Sequence, residues 1–162
     1  MGTLRGGYHL KDGTRVPSVT TCLHSWHPGG VEGLLAWANK LGREGKDHKA
    51  ERDAAADAGT MAHAAAEAWA HGQPFVFEGP ADIIEKARVS YNAFLAWADQ
   101  TKFKIARTEL PLVSERYRYG GTFDLILIHG KRTMGDIKTS NRIQETHFCQ
   151  IAAYAKLWEE SY

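Results

Sequence analysis

Cysteine is scarce in this chain. Cys22 and Cys149 are its only two, far apart and in no CxxC pair. That excludes a zinc knuckle and a four-cysteine iron–sulfur cluster, and a reducing compartment disfavours a single disulfide. No apolar run approaches a membrane span, and the N-terminus lacks the apolar core of a signal peptide. The expectation is a cytoplasmic protein with no membrane partner. No GxxxxGK phosphate loop is present, so no nucleotide cofactor is expected. Repeats, low-complexity tracts and linkers are also missing. Neither sign of charge dominates, with a formal net charge of +1. What remains is 162 residues of ordinary globular composition, enough for one domain, 1–162, with a real core.

The distribution of charge says more than its sum. Residues 101–142 hold nine Lys/Arg against four Asp/Glu, a net +5; the remainder holds eleven against fifteen, a net −4. Chance clustering on a solvated face and a polyanion partner both fit that excess.

Turn residues in "KDG" predict a hairpin over "GGYHLKDGTRVPSVTTCL". Helices are predicted for "VEGLLAWANKLGREG", for "AERDAAADAGTMAHAAAEAWAHG" and for "PADIIEKARVSYNAFLAWADQT". The second should break or cap locally at Gly59–Thr60 and stop at Gly72. In the third, Ile83, Ala87, Tyr91, Phe94, Leu95 and Ala98 form one stripe. Three strands, "FKIARTELPLVS", "YGGTFDLILIHG" and "KRTMGDIKTS", precede a last helix, "IQETHFCQIAAYAKLWEES". Helices, a three-strand meander and a helix imply an α/β (α+β) fold. The five tryptophans, Trp26, Trp37, Trp69, Trp97 and Trp158, mostly sit on helical stripes and read as core.

Alternation in "TFDLILI" puts Phe123, Leu125 and Leu127 on one strand face and Asp124, Ile126 and Ile128 on the other. On the next strand, Asp136 and Lys138 would share a face, and pairing across "HGKR" brings Asp136 towards Asp124. Two carboxylates side by side repel unless a cation sits between them. A divalent ion with oxygen ligands resolves this, and the Ile137 carbonyl can supply a further oxygen. Lys138 then stands where it can orient or deprotonate water, or stabilise phosphate charge. The competing reading is a buried Asp–Lys salt bridge at a strand end.

"GTMAHAAAE", "GGTFDLIL", "GDIKTS" and "QIAAY" occur in that order. With them the chain resembles the PD-(D/E)xK nuclease superfamily, in particular its RecB-like branch of phage-type exonucleases and the mitochondrial genome maintenance exonuclease. "RVPSVTTCL" is similar to the opening of phage members. The resemblance covers about Tyr8 to Trp158. It implies a restriction-endonuclease-like core, with a central mixed sheet flanked by helices. It also implies a metal-dependent DNA exonuclease using one or two Mg²⁺ or Mn²⁺ ions. Asp124 and Asp136 would be metal ligands, Lys138 the catalytic lysine and His63 a further ligand. Glu109 falls where relatives often have a glutamate near the metals. Gln150 and Tyr154 match QxxxY. The implied substrate is DNA, single-stranded or with duplex ends, and a helicase, recombinase or single-strand-binding partner fits the branch. A phage-encoded or bacterial protein is implied. Relatives commonly continue into one or two further strands, so the domain reads as C-terminally short. The alternatives are a structure-specific or nicking endonuclease of the same fold, or a non-catalytic DNA-binding subunit.

Beyond the resemblance, His63, Glu67 and His71 fall on one helix face. Glu67 could orient His63 or Lys138; a zinc site or a solvated face are the other readings. Gln150 could bond a metal-site water or a phosphate, and Tyr154 could stack on a base, or both could simply pack. Thr139 and Ser140 are placed to donate to a phosphate oxygen. For Ser18, Thr20 and Thr21 a turn or cap role is equally open.

Overall fold

The computed structural model describes residues 7–26, 30–140 and 142–162, with the backbone alone for 30, 31 and 129. Gly6, with which the predicted hairpin opens, lies outside them. The described residues form five helices and two small antiparallel sheets, a mixed α/β chain, divided into two compact units.

One unit holds α2 (Gly30–Arg43), α3 (His48–Ala70), α4 (Ala81–Thr101) and the segment Ile137–Thr139. The α3 helix starts where the Asp47 carboxylate accepts the Lys49 N–H at 2.8 Å, a side-chain N-cap. It ends before Gly72, whose φ of 66° a glycine adopts without strain. The expected break at Gly59–Thr60 is absent, and α3 runs straight through. Two interactions offset the cost of about 1 kcal/mol for a mid-helix glycine. Ala58 and Ala62 pack against Ile83 and Ala87 of α4, and the Thr60 hydroxyl donates to the Ala56 carbonyl at 3.0 Å. On α4, Ile83, Ala87, Phe94 and Ala98 are buried as the stripe predicts, while Tyr91 and Leu95 are half-buried.

The second unit holds α1, α5 and all five strands. β1 (Tyr8–His9) and β2 (Arg15–Val16) form the expected hairpin. The sequence reading missed α1 (Val19–Trp26). Ser18 caps it, its Oγ accepting the Thr21 N–H at 3.1 Å and bonding both Thr20 and Thr21 hydroxyls at 2.8 Å. β3 (Lys104–Ser114), β4 (Tyr119–His129) and β5 (Lys131–Gly135) pair antiparallel in that order. The mixed central sheet is therefore not found among the described residues; the one parallel pairing is an isolated Ser18–Gly120 bridge. α5 (Glu145–Ser161) opens with a reciprocal Gln144–His147 cap.

Val19, Phe123, Ile126, Tyr154 and Leu157 make the core of this unit. Phe123 and Ile126 both join it, so strict two-residue alternation does not hold along β4. The tryptophan expectation fails for four of five: Trp26, Trp37, Trp69 and Trp97 are 36–66% exposed. Trp158 packs against the core of this unit, and Trp69 and Trp97 edge the buried Phe94 ring of the other, centroids 5.4 and 6.2 Å away. No described helix is long and apolar enough to cross a membrane. Cys22 and Cys149 are free thiols.

Ser114, fully buried, ties the β3–β4 turn to α5. Its hydroxyl donates to Glu160 Oε2 at 2.5 Å and accepts the Tyr117 N–H at 2.7 Å, while Glu160 Oε1 accepts the Arg116 N–H at 3.0 Å. The Ser114 hydroxyl first, then the Arg116 N–H, hold the Glu160 carboxyl below its ordinary range. Ser114→Ala leaves the Tyr117 N–H and Glu160 Oε2 without their buried hydroxyl partner and is expected to cost about 1–3 kcal/mol. At roughly 2–4 °C per kcal/mol, that is a Tm drop of about 2–12 °C at neutral pH. A depressed carboxyl pKa stabilises above the unfolded value and loses that contribution as pH falls through the folded one. The gap between wild type and variant should therefore narrow below about pH 4, as thermal denaturation across pH would show.

Candidate metal centre

The three strands meet in rows. Thr108 pairs with Leu125 and Leu110 with Phe123, which leaves Glu109 opposite Asp124. The two carboxylates each bring an oxygen within 4.8 Å of the other. Glu109 also has φ of 45°, an uncommon conformation for a non-glycine residue, worth about 1–3 kcal/mol of strain. Strain of this size persists where the surroundings over-determine the residue, which is common at ligand sites. Nothing in the sequence around Glu109 announces it.

β5 stops at Gly135, paired with Leu125, and Asp136–Ser140 lie outside the strand. The predicted strand through Ser140 is thus too long, and the face shared by Asp136 and Lys138 loses its strand-based derivation. Continuing the register by one residue would set Asp136 opposite Asp124. Like charges directly opposite destabilise a ladder, which gives a physical reason for the strand to end there.

Asp136 is held from α5. Gln150 Nε2 donates to Asp136 Oδ1 at 3.3 Å and to Tyr154 Oη at 2.9 Å, which occupies both amide hydrogens. Gln150 is 8% exposed and Tyr154 5%. The Tyr154 ring packs on Phe123, centroids 4.8 Å apart, and so leaves little surface for a base to stack on. Burial first, with the negative fields of Asp136 and Asp124 behind it, pushes the Tyr154 hydroxyl well above its ordinary pKa; the Gln150 bond opposes this. Tyr154 stays a neutral hydroxyl at any physiological pH. Gln150 and Tyr154 therefore support the carboxylates from within the unit.

In the first unit, His63 and Glu67 are half-buried on α3, one turn apart. His71 is the exposed C-cap beyond the helix, so the three residues do not form one helical face. Ile137 and Lys138 are half-buried, and Thr139 and Ser140 exposed. The segment lies against α3: a Cβ built on Gly59 would sit 3.1 Å from Thr139 Oγ1. Gly59 is one turn before His63 on the same face. Ser140, in the other unit, donates to the Arg142 carbonyl at 2.9 Å. Comparisons with family models, curated proteins and solved structures find no match to this chain.

Proposed function

We propose that this chain is a metal-dependent deoxyribonuclease with a restriction-endonuclease-like core, of the RecB-like branch of the PD-(D/E)xK superfamily. One observation carries the reading: Glu109 and Asp124 hold carboxylate oxygens within 4.8 Å of each other, on a strand strained at Glu109. Two oxygens bound to one divalent cation lie at most about 4–5 Å apart, so the donor pair fits such an ion. Oxygen-rich donors favour Mg²⁺ or Mn²⁺ over zinc. When bound, the ion polarises a phosphate and lowers the pKa of its water.

The chain's own groups do the rest. Asp124, Asp136 and Glu109 supply oxygens, and the Ile137 carbonyl enters as a further ligand on the sequence pattern. Gln150 fixes Asp136 through its amide. The Lys138 ammonium positions the attacking water or neutralises charge growing on the phosphate. His63 enters on the sequence pattern as an imidazole ligand, with Glu67 as its orienting partner. DNA is the substrate, and exonuclease action from an end is preferred to endonuclease action. The test is end-labelled linear and closed circular DNA, single- and double-stranded, with Mg²⁺ or Mn²⁺. Cleavage of linear DNA alone supports the exonuclease; cleaved circles make it an endonuclease; no cleavage under any condition removes the nuclease reading.

An imidazole ligand makes a further prediction. His63→Ala should weaken metal binding about 10–100-fold, with part of the activity restored by added metal, and Mn²⁺ should rescue better than Mg²⁺. His71→Ala should leave both unchanged. Titration calorimetry checks the affinities. Wild-type affinity in His63→Ala would take His63 out of the ligand set.

A further inference from the structure

The rows beyond the carboxylates are basic. Register pairs Arg107 with Ile126 and Met134 in one row, and Lys104 with Ile128 and Arg132 in the next. Paired residues share a sheet face, and rows two residues apart are about 7 Å apart. From the Glu109–Asp124 row the register thus runs along the sheet to Arg107, then to Lys104 and Arg132. Lys131, by alternation, belongs to the opposite face. Ile126 at the centre of the first basic row is buried in the core, but Arg107, Lys104, Ile128 and Arg132 are all exposed. No aspartate or glutamate occurs in residues 103–108 or 125–135. Among the described residues, Lys104, Arg107 and Arg132 form no ion pair with a carboxylate.

Arg132 is also placed. Its guanidinium sits over the Trp158 ring at 5.5 Å, and Trp158 stacks on Tyr162, centroids 4.3 Å apart and 22° between planes. Tyr162 is 67% exposed and Ile128 47%. Guanidinium, indole and phenol form a stack beside unpaired cations and open apolar surface. Phosphates answer the cations, and unpaired bases answer the aromatic and apolar surface. A duplex offers the phosphates alone along its length.

We infer that this end of the sheet binds single-stranded DNA, Lys104, Arg107 and Arg132 taking phosphates and Tyr162 and Ile128 meeting bases. The inference rests on the nuclease reading for its purpose: the stripe holds the strand whose scissile phosphate lies at the carboxylate row.

The test is fluorescence anisotropy of a labelled oligothymidylate against salt, in Ca²⁺ to suppress cleavage. Lys104→Gln/Arg107→Gln/Arg132→Gln should bind about tenfold or more weakly. Its slope of log affinity on log salt should fall by about 2, at roughly 0.7 per lost phosphate contact on a single strand. Lys46→Gln/Lys49→Gln/Lys86→Gln, an equal loss of charge elsewhere, should change neither much. Should the triple variant fold poorly, Lys104→Gln/Arg107→Gln leaves the Trp158 stack intact and should lower the slope by about 1.4. Wild-type binding by the stripe variants, or equal losses in the control, overturns the stripe. Equally tight binding of a duplex of matched length overturns the single-strand preference. Binding is read without turnover. An inactive protein with a working stripe thus sinks only the nuclease reading, and an active one with normal stripe variants sinks only the stripe.

Discussion

Asp124→Asn is expected to lower metal-dependent DNA cleavage more than 100-fold and yet to leave the metal-free protein as stable as wild type, or more so. Both effects follow from one geometry. Glu109 and Asp124 present oxygens within 4.8 Å of each other, on paired positions of β3 and β4. Two carboxylates held this close repel, a cost the folded chain bears and the unfolded chain does not. The amide keeps the shape of the carboxylate and drops one charge. Losing a direct ligand should exceed the 10–100-fold typical of an outer partner. Millimolar Mg²⁺ or Mn²⁺ should raise the Tm of wild type, since it binds only the folded state, and move the variant much less. Lys138→Ala should lose turnover with that metal-induced shift intact, which separates the lysine from the ligands. A wild-type Tm that ignores both metals, or an active Asp124→Asn, would defeat the metal centre.

How much was readable beforehand differs by kind of signal. The stripe Ile83–Ala87–Phe94–Ala98 announced α4, because a helix face repeats locally and every turn votes. α1 was hidden for the converse reason. Val16, Val19, Thr20 and Thr21 are β-branched and look like strand, and the Ser18 cap that decides the matter is one residue. Gly59–Thr60 suggested a break, since propensity counts the glycine but not the packing of Ala58 and Ala62 that holds α3 through it. Ser114 and Glu160 stand 46 positions apart, and no local pattern joins them. In the candidate site, Asp124 and Asp136 stood out as acids among apolar neighbours, an energetic oddity that a sequence displays. The positive φ of Glu109 has no such marker. Gln150 and Tyr154 stood out through the QxxxY resemblance with packing left open as their role, and it is burial that aims the Gln150 amide at Asp136 and Tyr154.

Gly121→Ala is expected to be strongly damaging for so conservative a change, and conformational freedom is not the reason. Neither Gly120 nor Gly121 has a positive φ, so alanine could adopt either backbone. The space is missing. A Cβ on Gly121 would lie 2.5 Å from Tyr154 Cε1 and 3.2 Å from Val19 Cγ2; one on Gly120 would lie 2.4 Å from Tyr8 Cγ. Neither ring can yield easily. Tyr154 is buried on Phe123 and bonded by Gln150, and buried Tyr8 bonds Thr122 Oγ1 at 2.8 Å. Overpacking a filled core costs about 1–3 kcal/mol, and contacts this short belong at or above the upper end. That lowers Tm by roughly 6–12 °C at about 2–4 °C per kcal/mol. The damage should also reach chemistry, since moving Tyr154 moves Gln150 and with it Asp136. A double-mutant cycle isolates the clash. In a Tyr154→Leu background the ring is gone, and Gly121→Ala should cost at least about 1 kcal/mol less than in wild type. Equal costs in the two backgrounds would mean that Gly121 is required for something other than the approach of Tyr154.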